Sequence, residues 1–125
     1  MTENELSKII VDVCYNIHVK LGPGLLESVY ETILCHELAK KNLKVERQKP
    51  LPLTWDDLKM DIGFRADLLV EDKVVVELKS VEQIAQVHLK QVLTYLKVAD
   101  CKLGLLINFN ETLIKNGITR IVNNL

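Results

Sequence analysis

Three charged residues within one short stretch have the types and spacing for cation or acid–base chemistry. Asp67, Glu77 and Lys79 lie in the segment RADLLVEDKVVVELKS. The run VVV before Glu77 predicts a strand buried on both faces. Because side chains alternate along a strand, Glu77 and Lys79 should point to the same face. Two charges at the end of a buried strand carry a large desolvation penalty unless they are compensated, and compensation by a cation and by each other is one solution.

Asp67 belongs to the strand that precedes Glu77, so a hairpin would fold the two acids towards each other. If the turn centres on Glu71 and Asp72, then Asp67 faces Val76, and Glu77 falls one residue away. A one-residue bulge, or the twist of the sheet, would bring the two carboxylates together. The sequence alone leaves this register open.

Two converging carboxylates form an oxygen site suited to Mg²⁺ or Mn²⁺. A cation bound there can polarise a phosphoryl oxygen and lower the pKa of a bound water. Lys79 could then orient or deprotonate the attacking water, or stabilise negative charge that develops during the reaction. These are the parts that phosphodiester hydrolysis needs. The alternative is a structural ion pair, which the loose spacing of the three residues also allows.

The apolar pattern along the chain predicts the elements that position these residues. Helical spacing predicts helices at 3–20, 25–41 and 84–99, and the motif LGPG separates the first two. Strands are predicted at 44–54, 60–70, 73–80 and 103–109, followed by a short strand or docking segment at 117–125. Short turns make the first three strands an antiparallel meander. The order ααβββαβ(β) predicts an α/β chain with a mixed sheet and helices packed on it.

Length and composition fit one domain spanning residues 1–125. Sixteen basic and seventeen acidic residues give a net charge of −1, so nucleic-acid binding must depend on a local patch, a site or a dimer. A homodimer would extend a binding surface and cover a sheet edge. Three cysteines without CxxC spacing, a polar N-terminus and no long apolar run lead us to expect a cytoplasmic protein without a membrane span.

A second motif, Gly24, Glu27 and Tyr30 within LGPGLLESVYE, resembles the signature of the GxxExxY protein family. That family is assigned to the PD-(D/E)xK nuclease-like superfamily. The similarity extends over roughly residues 10–122 and includes four further features: His18 before LGPG, the segment RADL, the segment VELK, and Gln91 with Tyr95 and Leu96. The resemblance implies a restriction-endonuclease-like αβββαβ core with an extra N-terminal helix.

The resemblance also implies functional roles for five side chains. Asp67 and Glu77 would be ligands of Mg²⁺ or Mn²⁺, with Glu27 as a further acidic ligand on a helix. Lys79 would be the catalytic lysine, and Gln91 a further site residue. A proline often precedes the superfamily's aspartate, whereas Ala66 stands there in this chain. We therefore expect a metal-dependent nuclease acting on DNA or RNA; the alternative is a catalytically silent nuclease-fold module for binding or assembly.

Simpler explanations exist for two of these residues, and a different class of enzyme finds little support. Glu27 falls in the first turn of its helix, where the helix dipole favours an acid by ~0.3–1 kcal/mol. Gln91 could satisfy a loop carbonyl. No dinucleotide-binding glycine motif and no Ser–His–Asp or Cys–His pattern favours an oxidoreductase or another hydrolase.

Overall fold

The computed structural model describes the backbone of residues 1–125 and every side chain except that of Ile62. Three α-helices, five strands and one 3₁₀ turn follow one another along the chain. They are α1 (Glu3–Leu21), α2 (Glu27–Lys40), β1 (Val45–Trp55), β2 (Leu58–Val70), β3 (Val74–Lys79), α3 (Gln86–Ala99), β4 (Leu103–Asn108), the 3₁₀ turn (Ile114–Gly117) and β5 (Ile118–Val122).

The five strands form one mixed sheet in the order β1-β2-β3-β4-β5. Neighbouring strands are antiparallel except β3 and β4, which run parallel and are connected through α3. A parallel pair needs such a crossover, because a short turn can only reverse the chain. The central strand β3 is buried along nearly its whole length, as its apolar sequence predicts.

Each face of the sheet carries its own hydrophobic core. Helices α1 and α2 cover one face, where the strands contribute Leu68, Val76 and Leu105 to the core. The two helices contribute Ile10 and Leu34 to the same cluster. Helix α3 covers the other face, where its buried side chains pack on alternate residues of the same strands. This two-sided packing is what a sheet with buried, largely apolar central strands requires. Within the described part of the chain, no helix combines the length and apolar character needed to cross a membrane.

The connection between α1 and α2 is closed by a single buried side chain. Gly22 ends α1 with a positive φ of 71°, a conformation that suits glycine. The Tyr30 hydroxyl reaches back from α2, donates to the Gly22 carbonyl oxygen at 2.6 Å and accepts from the Leu25 N–H at 3.1 Å. The Tyr30 ring stacks on Phe109 at 4.3 Å between centroids. The loop is thereby fixed against the core, and the start of α2 with it.

A buried amide anchors the segment that follows β3. Asn108, at the end of β4, is fully buried. Its side chain donates to the Val81 carbonyl oxygen at 2.9 Å and accepts from the Val81 N–H at 3.1 Å. Its Oδ1 also accepts from the Asn110 N–H at 3.2 Å. The chain leaving Lys79 is therefore tied to the neighbouring strand before α3 begins.

The predicted fold class and order of elements are confirmed, and the core agrees with the αβββαβ arrangement preceded by an extra helix. The sequence left the β2–β3 register open, and the hairpin does not have the two-residue turn considered above. Val70 pairs with Val74, and Leu68 rather than Asp67 pairs with Val76. Three residues form the turn rather than two, and two of them, Glu71 and Asp72, adopt positive φ. The extra turn residue shifts the partners by one position.

Candidate functional site

The site lies where β2 and β3 separate. Regular pairing between these strands ends at Leu68 and Val76, so continuing the register places Asp67 opposite Glu77. Beyond that point, carboxylate oxygens rather than backbone carbonyl oxygens accept the hydrogen bonds between the two strands. The Asp67 N–H donates to Glu77 Oε1 at 3.0 Å, and the Leu78 N–H donates to Asp67 Oδ2 at 2.8 Å. Both carboxyl groups therefore reach into the gap between the two strands.

Glu77 is an acid in an environment that disfavours its charge. The residue is 5% exposed, and burial together with the negative charge of Asp67 raises the pKa of Glu77 to about 8. The hydrogen bond from the Asp67 N–H lowers this pKa, but by less than burial and the charge of Asp67 raise it. A buried acid next to another carboxyl group favours either keeping its proton or binding a cation.

Helix α3 contributes Tyr95 to the other side of the gap. Tyr95 is buried and stacks on Phe64 with ring centroids 4.0 Å apart. Burial raises the pKa of the Tyr95 hydroxyl, and the charges of Glu77 and Asp67 raise it further. Gln91 lies one helical turn before Tyr95 on the same side of α3, and it is exposed. Of these two α3 residues, Tyr95 therefore interacts electrostatically with the two acids, whereas the Gln91 side chain is exposed to solvent.

Lys79 ends β3, two residues after Glu77, and is half-buried. Its backbone stays in the sheet on the β4 side, where the Phe109 N–H donates to the Lys79 carbonyl oxygen at 2.9 Å. The positive charge of Lys79 lowers the pKa of Glu77, but this effect ranks below burial and the charge of Asp67. Among the described side chains, Lys79 takes part in no ion pair shorter than 4.0 Å. The charge of Lys79 therefore influences Glu77 although the two side chains form no ion pair.

Glu27, the first residue of α2, stands at the rim of the site. Its Oε2 accepts from the Ser80 N–H at 3.4 Å, and the Ser80 hydroxyl donates to the Leu25 carbonyl oxygen at 2.7 Å. Glu27 and Asp67 both line a small cavity of about 220 Å³ between α2 and the sheet. Glu27 therefore shares this cavity with Asp67, whereas Glu77 does not line it.

Three residues that the sequence did not single out complete the surroundings of Asp67. The Gln48 amide donates to Asp67 Oδ1 at 3.2 Å and to Glu31 Oε1 at 2.7 Å. Arg47 donates to the second oxygen of Glu31 from Nη2 at 2.9 Å and from Nε at 3.3 Å. In the sequence, Arg47 and Gln48 resemble ordinary polar residues of an edge strand. Only Glu31 offered a signal, because it lies one turn after Glu27 on the same helix.

The structure thus brings Asp67 and Glu77 into contact, places Lys79 and Tyr95 beside them, and leaves Glu27 and Gln91 at the periphery. Among the described residues, no group of three or more His, Cys, Asp or Glu side chains has the geometry to hold a metal ion. When Glu77 is deprotonated, the two carboxylates supply hard oxygen donors of the kind that Mg²⁺ and Mn²⁺ prefer.

A mixed sheet flanked by helices on both faces, with this order of elements, is a nuclease-type fold. The sequence pattern of the PD-(D/E)XK nuclease superfamily matches residues 4–121. The chain belongs to this superfamily. No curated protein and no solved structure matches the chain.

Proposed function

We propose that the chain is a metal-dependent nuclease that hydrolyses phosphodiester bonds of DNA or RNA. The observation that carries this proposal is the contact between Asp67 and the buried Glu77, a pair with no cationic side chain within ion-pair distance among the described residues. Two acids in contact repel each other when both are charged, and a divalent cation removes that repulsion. Membership of the nuclease superfamily supports the same conclusion.

Asp67 and Glu77 would hold Mg²⁺ or Mn²⁺, with Glu27 as a further acidic ligand across the cavity. A divalent cation bound there supplies charge neutralisation at a phosphoryl oxygen and lowers the pKa of a bound water. Burial of Glu77 excludes bulk water on its side of the gap, so electrostatic interactions with a phosphate would be stronger there than in solvent.

Lys79 would be the catalytic lysine. It lies on the same strand as Glu77 with one residue between them, and its charge acts on that acid. An ammonium held by no other acid is free to hydrogen-bond a phosphate oxygen or the attacking water. Gln91, exposed on α3 one turn from Tyr95, would contact the nucleic acid at the edge of the site. Assignment to the GxxExxY family within the superfamily is part of this proposal.

The proposed experiment separates metal binding from catalysis. Mn²⁺ is titrated calorimetrically into wild type, Glu77→Gln, Lys79→Met and the exposed control Glu82→Gln, and each protein is assayed on single- and double-stranded DNA and RNA. Glutamine keeps an acceptor for the Asp67 N–H, so the Glu77→Gln variant should still fold. We expect Glu77→Gln to lose Mn²⁺ binding and cleavage, and Lys79→Met to lose cleavage by at least about 100-fold while it still binds Mn²⁺. Undiminished cleavage by both variants would refute the proposal.

One structural observation favours the alternative of a nuclease-fold module without catalysis. Asp67 and Glu77 each accept a backbone N–H in place of a missing rung of the sheet, so both acids also serve the fold. This alternative predicts that wild type binds nucleic acid or a protein partner, but binds no Mn²⁺ and cleaves none of the four substrates. Gel-shift measurements in EDTA and in Mn²⁺ distinguish the two functions.

A further inference from the structure

Gln48 occupies an irregular point in β1, directly beside the candidate site. Arg47 pairs with Leu68, and Lys49 pairs with Ala66, but the regular pairing is interrupted at Gln48 between them. Gln48 has a φ of 47°, in the left-handed region that residues with a Cβ atom rarely adopt. Such conformations persist only where surrounding contacts hold them, and they concentrate at functional sites.

The hydrogen bonds of the Gln48 side chain show what stabilises this backbone conformation. One amide nitrogen donates to two carboxylates, to Glu31 Oε1 at 2.7 Å and to Asp67 Oδ1 at 3.2 Å. Ionised carboxylates only accept hydrogen bonds, so the amide must present its NH₂ group to both. The length of a glutamine side chain is needed for this bridge, because asparagine is one methylene shorter.

The far end of the bridge is itself fixed. Glu31 is 7% exposed and receives two hydrogen bonds from Arg47 on the oxygen that Gln48 does not use. A charge-assisted contact of this kind is strong and directional. The result is a continuous chain of contacts from Arg47 through Glu31 and Gln48 to Asp67, running from helix α2 and strand β1 to the acid on β2.

We propose that Gln48 is a positioning residue for the Asp67 carboxylate. Asp67 Oδ2 is held by the Leu78 N–H, and Gln48 fixes the other oxygen, so both ends of the carboxylate are oriented by the protein. The carboxylate so held lines the cavity that it shares with Glu27. The effect on a bound cation rests on the proposed function, whereas the orientation of Asp67 does not. Partners that orient metal ligands typically contribute tenfold to a hundredfold in metal affinity.

Two variants at this position separate the amide from the backbone. Gln48→Met keeps the side-chain length and removes both donors, while Gln48→Gly removes the amide and relaxes the left-handed backbone. The matched control is Gln86→Met, at an exposed glutamine that begins α3. For each protein, hydrogen exchange of the Leu78 amide is measured by NMR in EDTA, Mn²⁺ affinity by calorimetry, and global stability by urea unfolding.

In both Gln48 variants we expect Leu78 exchange to accelerate about tenfold relative to the Val76 amide, since Asp67 would hold the Leu78 N–H less firmly. Mn²⁺ affinity should fall about tenfold to a hundredfold, and the Gln48→Gly variant should show this loss without a loss of global stability. Unchanged Leu78 exchange in both variants would overturn the proposal, and so would unchanged or tighter Mn²⁺ binding by the variants where wild type binds Mn²⁺. If wild type binds no Mn²⁺ and Leu78 exchange still accelerates, the positioning role of Gln48 stands and the proposed metal-dependent function fails.

Discussion

Replacing Glu77 by glutamine should change how the stability of the protein depends on pH. Burial, and then the charge of Asp67, raise the pKa of Glu77 to about 8 from an ordinary value of 4.5. Between these two values the folded chain keeps a proton that the unfolded chain releases. The stabilisation from this proton is fully present below pH 4.5 and is lost as pH rises through about 8.

The magnitude follows from the size of the pKa difference. Each unit corresponds to about 1.4 kcal/mol, so the free energy of unfolding of metal-free wild type should fall by up to about 5 kcal/mol between pH 4.5 and 8. Glutamine is neutral at every pH and still accepts from the Asp67 N–H. The Glu77→Gln variant should therefore match wild type near pH 4.5 and exceed it in stability near pH 8.

The assay is urea unfolding of both proteins in EDTA at half-unit steps from about pH 4.5 to about pH 8.5, a range that spans both pKa values. The difference between their free energies of unfolding isolates Glu77, because the other titrating groups are common to both. The exposed variant Glu82→Gln serves as the control, and its curve should run parallel to that of wild type. Parallel curves for wild type and Glu77→Gln would refute the inferred environment of this acid.

Three further predictions concern the cation, the helix connection and the sheet. Mn²⁺ at about 100 times its Kd should raise the free energy of unfolding by about 2.7 kcal/mol. The affinity for Mn²⁺ should increase from about pH 5.5 to about pH 8, because the proton on Glu77 competes with the cation. Calorimetry at several pH values measures this change in affinity. Tyr30→Phe should lower the free energy of unfolding by about 1–2 kcal/mol in urea unfolding, because the bonds to Gly22 and Leu25 are lost. Gly117→Ala should lower the free energy of unfolding by about 1–3 kcal/mol in the same measurement, since its Cβ would clash with the Asn108 carbonyl oxygen.

Two exposed positions provide controls for the last two variants. Tyr15 is 57% exposed, so Tyr15→Phe should leave the free energy of unfolding within about 0.5 kcal/mol of wild type. Asn116 is the exposed neighbour of Gly117, and Asn116→Ala should be similarly mild. Equal losses in a test variant and its control would contradict the contact assigned to Tyr30 or to Gly117. Mn²⁺ affinity that does not change with pH would contradict competition with the Glu77 proton.

The order of elements was predictable because apolar periodicity reports burial directly. The stripe through Leu6, Ile10 and Val13 predicted α1, and these side chains form part of the core. Residues Val74 to Val76 predicted a central strand for the same reason. The β2–β3 register was not predictable, because it depends on whether two or three residues form the turn, and positive φ at successive non-glycine residues leaves no clear sequence signal.

The candidate site likewise contains some residues that the sequence could predict and others that it could not. Asp67, Glu77 and Lys79 could be selected because charged residues interrupt or end apolar strands. Gln48 could not, since its importance arises from a left-handed backbone and from partners 17 and 19 residues away. The ion pair between Glu31 and Arg47 was not predictable either, because it connects a helix and a strand that only the tertiary structure brings together.

The separation of β2 from β3 has a mechanical consequence. Strand β3 remains fully paired with β4 along Val74–Lys79, whereas its contact with β2 beyond Leu68 depends on two hydrogen bonds made by acids. The two acids therefore hold β2 against β3 beyond the regular ladder. A ligand that draws Asp67 and Glu77 away from their backbone donors would weaken this junction, so occupancy of the acids and the pairing of the two strands are coupled.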